Sequence, residues 1–331
     1  MRPLCLEDSG TNRAGEPGEA DKKEHVPNLP DQLLPGRPGT MITIHARVAL
    51  ARRRLVDAGI PDSEALLDAR LLARHALGLD AARFAAASGE PESADFEQRY
   101  DALIGRRTRR EPVAYIIGRR EFWGLNFEVS PAVLIPRPET EGIIEAALEL
   151  VPDRGASFLA ADVCTGSGCL AVAIAREYPA ARCVATDVSS EALAVARRNA
   201  ARNAAADRVD FVLTDLLQGT QTNFHLIVSN PPYVPERDRE SLAPEVRDHE
   251  PAMALFAGSE GMDLITRLVS EAPAHLASGG FLLFEFGYGQ AGAVEELIGR
   301  STGLTMVDLR RDLQRIPRVA IARRSENTST R

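Results

Sequence analysis

The chain has 331 residues, 44% of them hydrophobic and 26% charged, the make-up of a folded protein with an ample core and room for two domains. Its formal net charge of −8 argues against a general nucleic-acid binder, which would carry a basic footprint. No apolar run approaches the roughly 20 residues needed to span a bilayer, and the N-terminus has no apolar signal core; no membrane association and a cytoplasmic setting are expected.

Residues 1–40 are rich in Gly, Pro, Asp, Glu and Asn with almost no apolar periodicity, and are read as a disordered extension ahead of Met41. Residues 41–110 read as a small helical domain that could hold a protein substrate. Val48, Ala51, Leu55 and Val56 keep helical spacing up to Gly59, Leu66, Leu67, Leu71 and Leu72 define a second helix ending near Gly78, and Phe96, Tyr100, Leu103 and Ile104 a third, capped by Ser93. Arg106, Arg107, Arg109 and Arg110 follow; they read as a solvated helix end whose cations suit the macrodipole, the sharper alternative being contact with an acidic or RNA-bound partner.

Residues 111–141 form a linker and hairpin: Phe122, Trp123, Leu125, Phe127 and Val129 include an alternating stretch, and Pro136 and Pro138 fix the backbone around Arg137. Thr140 or Glu139 could cap a helix beginning near Gly142. From 142 to 324 strands alternate with helices, which predicts an α/β fold. The strands fall at Phe158–Val163, Cys183–Thr186, Phe211–Leu213, Leu226–Val228, Phe281–Phe286, Thr305–Leu309 and Arg318–Ala322. The short connection between the last two predicts a hairpin, and so one antiparallel strand on an otherwise parallel sheet. Residues 325–331 read as a disordered tail.

Two loops carry the chemistry. Asn230-Pro231-Pro232-Tyr233 ends the buried strand Leu226–Val228, at the carboxyl edge where open α/β sheets bind ligands. The Asn230 side-chain carbonyl and the Pro231 backbone carbonyl are adjacent acceptors that suit the two donors of an –NH2 group. Tyr233 offers a flat face to a planar amide or base. Taken alone, the tetrapeptide does not exclude a plain proline-rich turn after a strand.

The second loop, Cys164-Thr165-Gly166-Ser167-Gly168, lies between a strand and an alanine-rich helix, a layout that lets backbone approach a cofactor. About 20 residues on, Asp187 ends another strand, where an acid can accept from both hydroxyls of an adenosine ribose. The Gly166-x-Gly168-x-x-Ala171 pattern alone could equally begin a dinucleotide site. The four cysteines, Cys5, Cys164, Cys169 and Cys183, lack paired zinc spacing, so reduced thiols and no metal are expected.

In this order the motifs resemble the class I S-adenosylmethionine-dependent methyltransferases with an Asn-Pro-Pro-Tyr loop, and more narrowly the release-factor glutamine methyltransferases, the PrmC/HemK family. The resemblance spans roughly residues 43–324. It includes Glu111-Pro112-Val113-Ala114-Tyr115-Ile116-Ile117-Gly118, Ile135-Pro136-Arg137-Pro138-Glu139-Thr140-Glu141 and Glu285-Phe286-Gly287-Tyr288-Gly289-Gln290. It implies a seven-stranded Rossmann-like sheet, S-adenosyl-L-methionine as methyl donor, and a glutamine amide of a peptide chain release factor as acceptor. By the same resemblance Cys164, Thr165, Gly166, Ser167 and Gly168 lie against the methionine part of the cofactor, Asp187 takes the ribose, and Asp215 and Leu216 hold the adenine. Asn230 meets both ligands, and Pro231, Pro232 and Tyr233 complete the substrate clamp. Where this chain has Cys164 the family usually has Gly, so a positive φ there would be strained.

Three alternatives stand beside this reading. An exocyclic base –NH2 fits the same clamp, but the acidic balance and the lack of an obvious base-reading domain count against an adenine methylase. A nicotinamide-dependent enzyme would leave the Asn-Pro-Pro-Tyr loop unexplained. A catalytically silent binding module would leave Asp187 and Asn230 without purpose. Methylation of a ribosomal-protein glutamine is the nearest variant of the main reading. His249 is a candidate base, but a surface or loop-packing role is favoured and no dedicated general base is expected.

Overall fold

The computed structural model describes residues 42–220 and 223–325. The expected extension over 1–40 lies outside the described residues, as does the tail apart from Ser325. From Thr43 onward the chain forms one unit. Its helical part comprises α1 (Ile44–Asp57), α2 (Asp62–Leu77), α3 (Ala81–Ala87) and α4 (Ala94–Arg107). Ser93 caps α4 by accepting from the Phe96 N–H, and Gly78 ends α2 in the left-handed conformation that favours glycine. The bundle core is Leu55, Leu72, Phe96, Tyr100 and Ile104; fully burying a large side chain of this kind stabilises by about 1.5–3 kcal/mol. Two details differ from the sequence reading. Leu67 is 57% exposed, because Ala65, Ala69, Leu72, Ala73 and Ala76 form the inward stripe of α2. Helix α3 went unread: it buries no residue, and its start is fixed by the Asp80 carboxylate accepting from Arg83 N–H.

Of the four arginines at the end of α4, Arg109 is exposed and donates to the Gly105 carbonyl, as a solvated helix end would, whereas Arg106, Arg107 and Arg110 are held by carboxylates of this chain. Arg107 is 4% exposed; its Nε donates to Asp68 of α2 at 2.7 Å and its Nη1 to Glu245 at 2.6 Å, while Arg110 donates to the other Glu245 oxygen at 2.8 Å. Arg106 pairs with Glu111. Burial holds the Asp68 carboxyl above its ordinary range despite Arg107. Burial also opposes ionisation of Glu245, but bonds from two guanidinium groups hold its carboxyl below the usual range.

A short helix, α5 (Val113–Ile117), and a two-stranded hairpin, β1 (Arg119–Phe122) with β2 (Leu125–Glu128), lead to the sheet. The strands that follow are β3 (Leu159–Val163), β4 (Arg182–Asp187), β5 (Val209–Leu213), β6 (Phe224–Ser229), β7 (Leu276–Glu285), β8 (Leu304–Arg311) and β9 (Pro317–Arg324). They form one seven-stranded sheet in the order β5-β4-β3-β6-β7-β9-β8. The expected single antiparallel strand is β9, paired antiparallel with both β7 and β8. One face is covered by α6 (Glu141–Leu150), α7 (Cys169–Glu177) and α8 (Ser190–Arg202), the other by α10 (Asp263–His275) and α11 (Ala291–Gly299). The remaining helix, α9 (Pro244–His249), carries Glu245. Thr140 does not cap α6; its hydroxyl makes no capping bond there, and a 3-10 turn over Pro138–Thr140 enters the helix instead.

Strand order reverses at β3, whose neighbours are β4 and β6. Beneath the loop that leaves β3 lies Asp162, 1% exposed. Its Oδ2 accepts from the Thr165 hydroxyl at 2.6 Å and from Ala171 N–H at 3.0 Å, and Oδ1 has no partner among the described residues. Burial lifts its pKa to about 7, against those two bonds and with help from the Asp187 charge.

Two stability measurements test this account. Arg107→Ala strands the buried Asp68 carboxylate and leaves Glu245 with Arg110 alone, and should cost about 3–5 kcal/mol in urea unfolding; a loss near zero would mean that the ion pairs do not join the bundle to α9. The Asp162 contribution to stability is full below its unfolded pKa of about 4 and is lost as pH rises through about 7, because the folded state binds the proton more tightly. The melting temperature of the wild type minus that of Asp162→Asn should therefore fall between pH 5 and pH 8. A difference that stays flat would show Asp162 to be ionised throughout.

Candidate active site

Three strand ends meet where the order reverses. Val163 at the end of β3 pairs with Thr186 of β4 on one side and Ser229 of β6 on the other. The glycine loop, Asp187 and Asn230 therefore leave neighbouring strands at one sheet edge. They border a cavity of about 600 Å³.

The glycine loop takes the left-handed backbone at three positions, and at Cys164 this is the strain that a positive φ was expected to bring: φ is +60° at Cys164, +53° at Gly166 and +80° at Gly168. A non-glycine residue in the left-handed region costs about 1–3 kcal/mol and persists only where its surroundings hold it. Here Thr165 N donates to Thr186 O at 2.9 Å, Gly166 N to the Asp187 carboxylate at 2.9 Å, and the Asn199 side chain to Ser167 O at 2.9 Å. Cys164, Thr165, Gly166 and Ser167 line the cavity. Gly168 is not on its wall. A Cβ there would sit 3.0 Å from that of Ala196, so this glycine lets α7 and α8 approach.

Asp187 lines the cavity with both oxygens in use, one accepting from Gly166 N and the other from Ser189 N at 2.9 Å. Each keeps a second lone pair. Burial raises its pKa against these bonds. Asp215 and Leu216 lie on the wall beyond β5, where Asp215 is paired with Arg267 at 2.8 Å. Asp187, Glu191, Asp215 and Asp263 give the wall an acidic cast that suits a ligand with a positive centre. Burial and the carboxylates of Asp187, Asp162 and Asp215 push the Cys164 thiol up, so it stays protonated.

From the Asn-Pro-Pro-Tyr loop, Asn230 and Pro232 reach the cavity wall, whereas Pro231 is buried and the Tyr233 hydroxyl turns to Glu285. The Asn230 amide is polarised by its surroundings. Nδ2 donates to Thr140 Oγ1 at 2.9 Å, and Oδ1 is buried with no hydrogen-bond partner among the described residues. The Thr140 hydroxyl donates in turn to Glu285 Oε2 at 2.6 Å, and Tyr233 Oη to Glu285 Oε1 at 2.8 Å. Burial raises the pKa of Glu285, opposed by these two hydroxyls, and burial beside that carboxylate raises Tyr233. Behind the loop, Gln290 donates to Tyr233 O at 2.9 Å. Gly261 lies so close that a Cβ would come 2.2 Å from the same oxygen.

Thr140 and Glu285 were not singled out from the sequence, although both sit in quoted motifs. Thr140 was read as a possible helix cap, and Glu285 only as part of a strand and of the motif that follows it. The one signal was the acid closing an otherwise apolar run, Phe281–Phe286. Arg137 was noted only for its flanking prolines; it donates to buried Glu250 at 2.5 Å, and Glu250 also accepts from Ile135 N. His249 contacts the Arg109 carbonyl at 3.2 Å and is not on the cavity wall, in keeping with loop packing. Among the described residues no group of three His, Cys, Asp or Glu side chains is arranged to hold a metal ion.

Residues 48–118 match the family model of the PrmC N-terminal domain, and residues 146–246 that of the methyltransferase small domain. A release factor glutamine methyltransferase of Koribacter versatilis is 45% identical over 260 residues, covering 78% of this chain and 91% of the relative. One of Cereibacter sphaeroides is 43% identical over 270 residues, covering 82% and 94%. Among solved structures, the hMettl16 catalytic domain in complex with MAT2A 3'UTR hairpin 6 superposes with a TM-score of 0.51 at 15% identity, over 69% of this chain and 84% of that one, a likeness of fold. With identity this high over nearly the whole length of its relatives, the chain belongs to the release factor glutamine methyltransferase family.

Proposed function

We propose that this enzyme transfers a methyl group from S-adenosylmethionine to the side-chain amide nitrogen of a glutamine, in the Gly-Gly-Gln motif of a peptide chain release factor. The observation that carries the reading is the free end of the Asn230 amide. A buried acceptor without a donor costs about 1–3 kcal/mol, so Oδ1 is a place for a donor that arrives with a ligand. A primary amide brings two N–H groups. Asn230 Oδ1 takes one, and the Pro231 carbonyl, followed by Pro232 with no N–H, takes the other. Pro232 walls the acceptor, and Tyr233 anchors the loop to Glu285.

The rest of the cavity fits the methyl donor. Cys164 to Gly168 face or support its methionine part, Asp187 has lone pairs left for the ribose hydroxyls, and Asp215 and Leu216 border the adenine. When bound, S-adenosylmethionine supplies a methyl carbon made electrophilic by a cationic sulfur. An amide nitrogen is a weak nucleophile because its lone pair is delocalised. Holding both N–H groups turns the remaining electron density toward the methyl carbon, and such alignment supplies several kcal/mol, with about 7–11 as an upper figure. The nitrogen gains positive charge as it attacks, and the fixed dipole of Asn230 stabilises that charge better than mobile water would. The proton then leaves to solvent. Neither Cys164, kept protonated, nor His249, bonded to Arg109 O, serves as a base. A cytoplasmic setting, where Cys164, Cys169 and Cys183 stay free thiols, belongs to the same proposal.

Purified enzyme with labelled S-adenosylmethionine should label a release factor and not a variant whose Gly-Gly-Gln glutamine is replaced. Label entering duplex DNA or a ribosomal protein instead would reassign the substrate. Asp187→Asn should weaken S-adenosylmethionine by about ten- to a hundred-fold in calorimetry, since hydrogen bonds to a charged group are worth about 1.5–3 kcal/mol. An unchanged Kd would remove the ribose from Asp187.

Asn230→Ala should fold normally and lose turnover by a large factor, with a smaller loss of cofactor affinity. Asn230→Asp should lose activity too, although a carboxylate accepts hydrogen bonds at least as well as an amide. It cannot donate to Thr140, whose own hydrogen is committed to Glu285. Full turnover in both variants would take the clamp out of the mechanism.

A further inference from the structure

We propose that Glu285 is a positioning residue that, acting through Thr140, fixes which end of the Asn230 amide faces the acceptor glutamine. The proposal rests on the functional reading above. Strands β6 and β7 are in register at Ser229 and Phe284, so Glu285 and Asn230 are the next residues along neighbouring strands. Thr140 stands between them, fully buried, and Glu285 is 1% exposed.

The chain of bonds has a direction. Both oxygens of Glu285 accept, Oε1 from Tyr233 and Oε2 from Thr140, so the single hydroxyl hydrogen of Thr140 goes to Glu285 Oε2. That leaves Thr140 Oγ1 as an acceptor toward Asn230, and only the Nδ2 end of the amide can meet it. Oδ1 is thereby turned to the site. Rotating the amide by half a turn would set two oxygens against each other and aim Nδ2 at the acceptor's own N–H groups. Tyr233 Oη occupies Glu285 Oε1, so both oxygens of the carboxylate are held by donors. Packing alone gives no reason for a carboxylate here, because burying a charge is costly unless it is hydrogen-bonded. The carboxylate also lies three hydrogen bonds behind the nitrogen that becomes positive, through Thr140 and Asn230, with the sign that favours transfer.

The test compares Glu285→Gln, Thr140→Val and Thr140→Ser with wild type, using a release factor as substrate. Glutamine can turn its –NH2 toward Thr140 and release the hydroxyl hydrogen to Asn230, and valine removes the link. Both variants should lower kcat at least about tenfold while S-adenosylmethionine Kd stays within about twofold, the mark of an interaction used in the transition state. Thr140→Ser, which keeps the hydroxyl, should restore kcat to within about threefold of wild type. Adding Glu285→Gln to Asn230→Ala should lower kcat no further, because coupled residues are not additive. Wild-type kcat in both Glu285→Gln and Thr140→Val would overturn the proposal. So would additivity in the Asn230→Ala background, or a loss of kcat matched by equal losses of cofactor affinity and melting temperature. A wild-type enzyme that methylated no release factor would sink the functional reading instead. The orientation is then read directly: the Asn230 side-chain amide proton resonances, assigned by their loss in Asn230→Ala, should move in Glu285→Gln and Thr140→Val, and unmoved resonances overturn the proposal.

Discussion

The reversal of strand order at β3 is the constraint on which the rest depends. Because β4 lies on one side of β3 and β6 on the other, the connections leaving their carboxyl ends diverge and open a cavity over the β3 end. Apart from Thr140, in the turn before α6, the groups assigned to the reaction lie on a strand end or in the loop that leaves it: Cys164 after β3, Asp187 on β4, Asp215 beyond β5, Asn230 after β6 and Glu285 on β7. Buried strands hold those positions rigidly, which a site that works by alignment needs.

The electrostatic design follows from that placement. Asp162, Asp187 and Glu285 are buried carboxylates with pKa values raised first by desolvation. Each is tied to a backbone N–H or a hydroxyl and none to a cation, so no paired charge offsets the cost of burial. Asp215 is the exception, paired with Arg267 at the wall beyond β5. Nucleophilic side chains are correspondingly suppressed: the same carboxylates and burial raise the Cys164 and Cys169 thiols, the latter to about 12.

Much of this was legible in the sequence, for identifiable reasons. Buried parallel strands advertise themselves as short apolar runs, so all seven strands of the main sheet were read near their true positions, and the final hairpin gave one antiparallel strand without telling which of its two strands it was. Glycine and proline punctuation marked both loops, and the glycine usual in the family at the Cys164 position flagged the place where the backbone does take a positive φ. What escaped depended on partners distant in sequence. Nothing local to Arg107 tells that Asp68 and Glu245 close on it, so a buried ion cluster read as a solvated helix end. Nothing local to Thr140 tells that Glu285 takes its hydrogen, so a relay read as a cap. Gly168 looked like a loop residue and is a helix-packing one, because α8 arrives from later in the chain. Periodicity reports which face is apolar; it does not report which polar groups meet across the core.

The buried arginine cluster has a consequence for how the two halves of the enzyme act together. Glu245 belongs to the segment that leaves the Asn-Pro-Pro-Tyr loop and returns along it, with Val234 bonded to Leu255 and Ala257. That segment supplies Met253 and Phe256 to the cavity wall. Arg107 and Arg110, from the end of the helical bundle, hold Glu245 from the other side. Bundle and cavity wall thus share one carboxylate. Breaking one partner of a buried cluster is far costlier than leaving all of it in place, so the bundle cannot shift without disturbing Glu245, and the wall cannot open without disturbing Arg107.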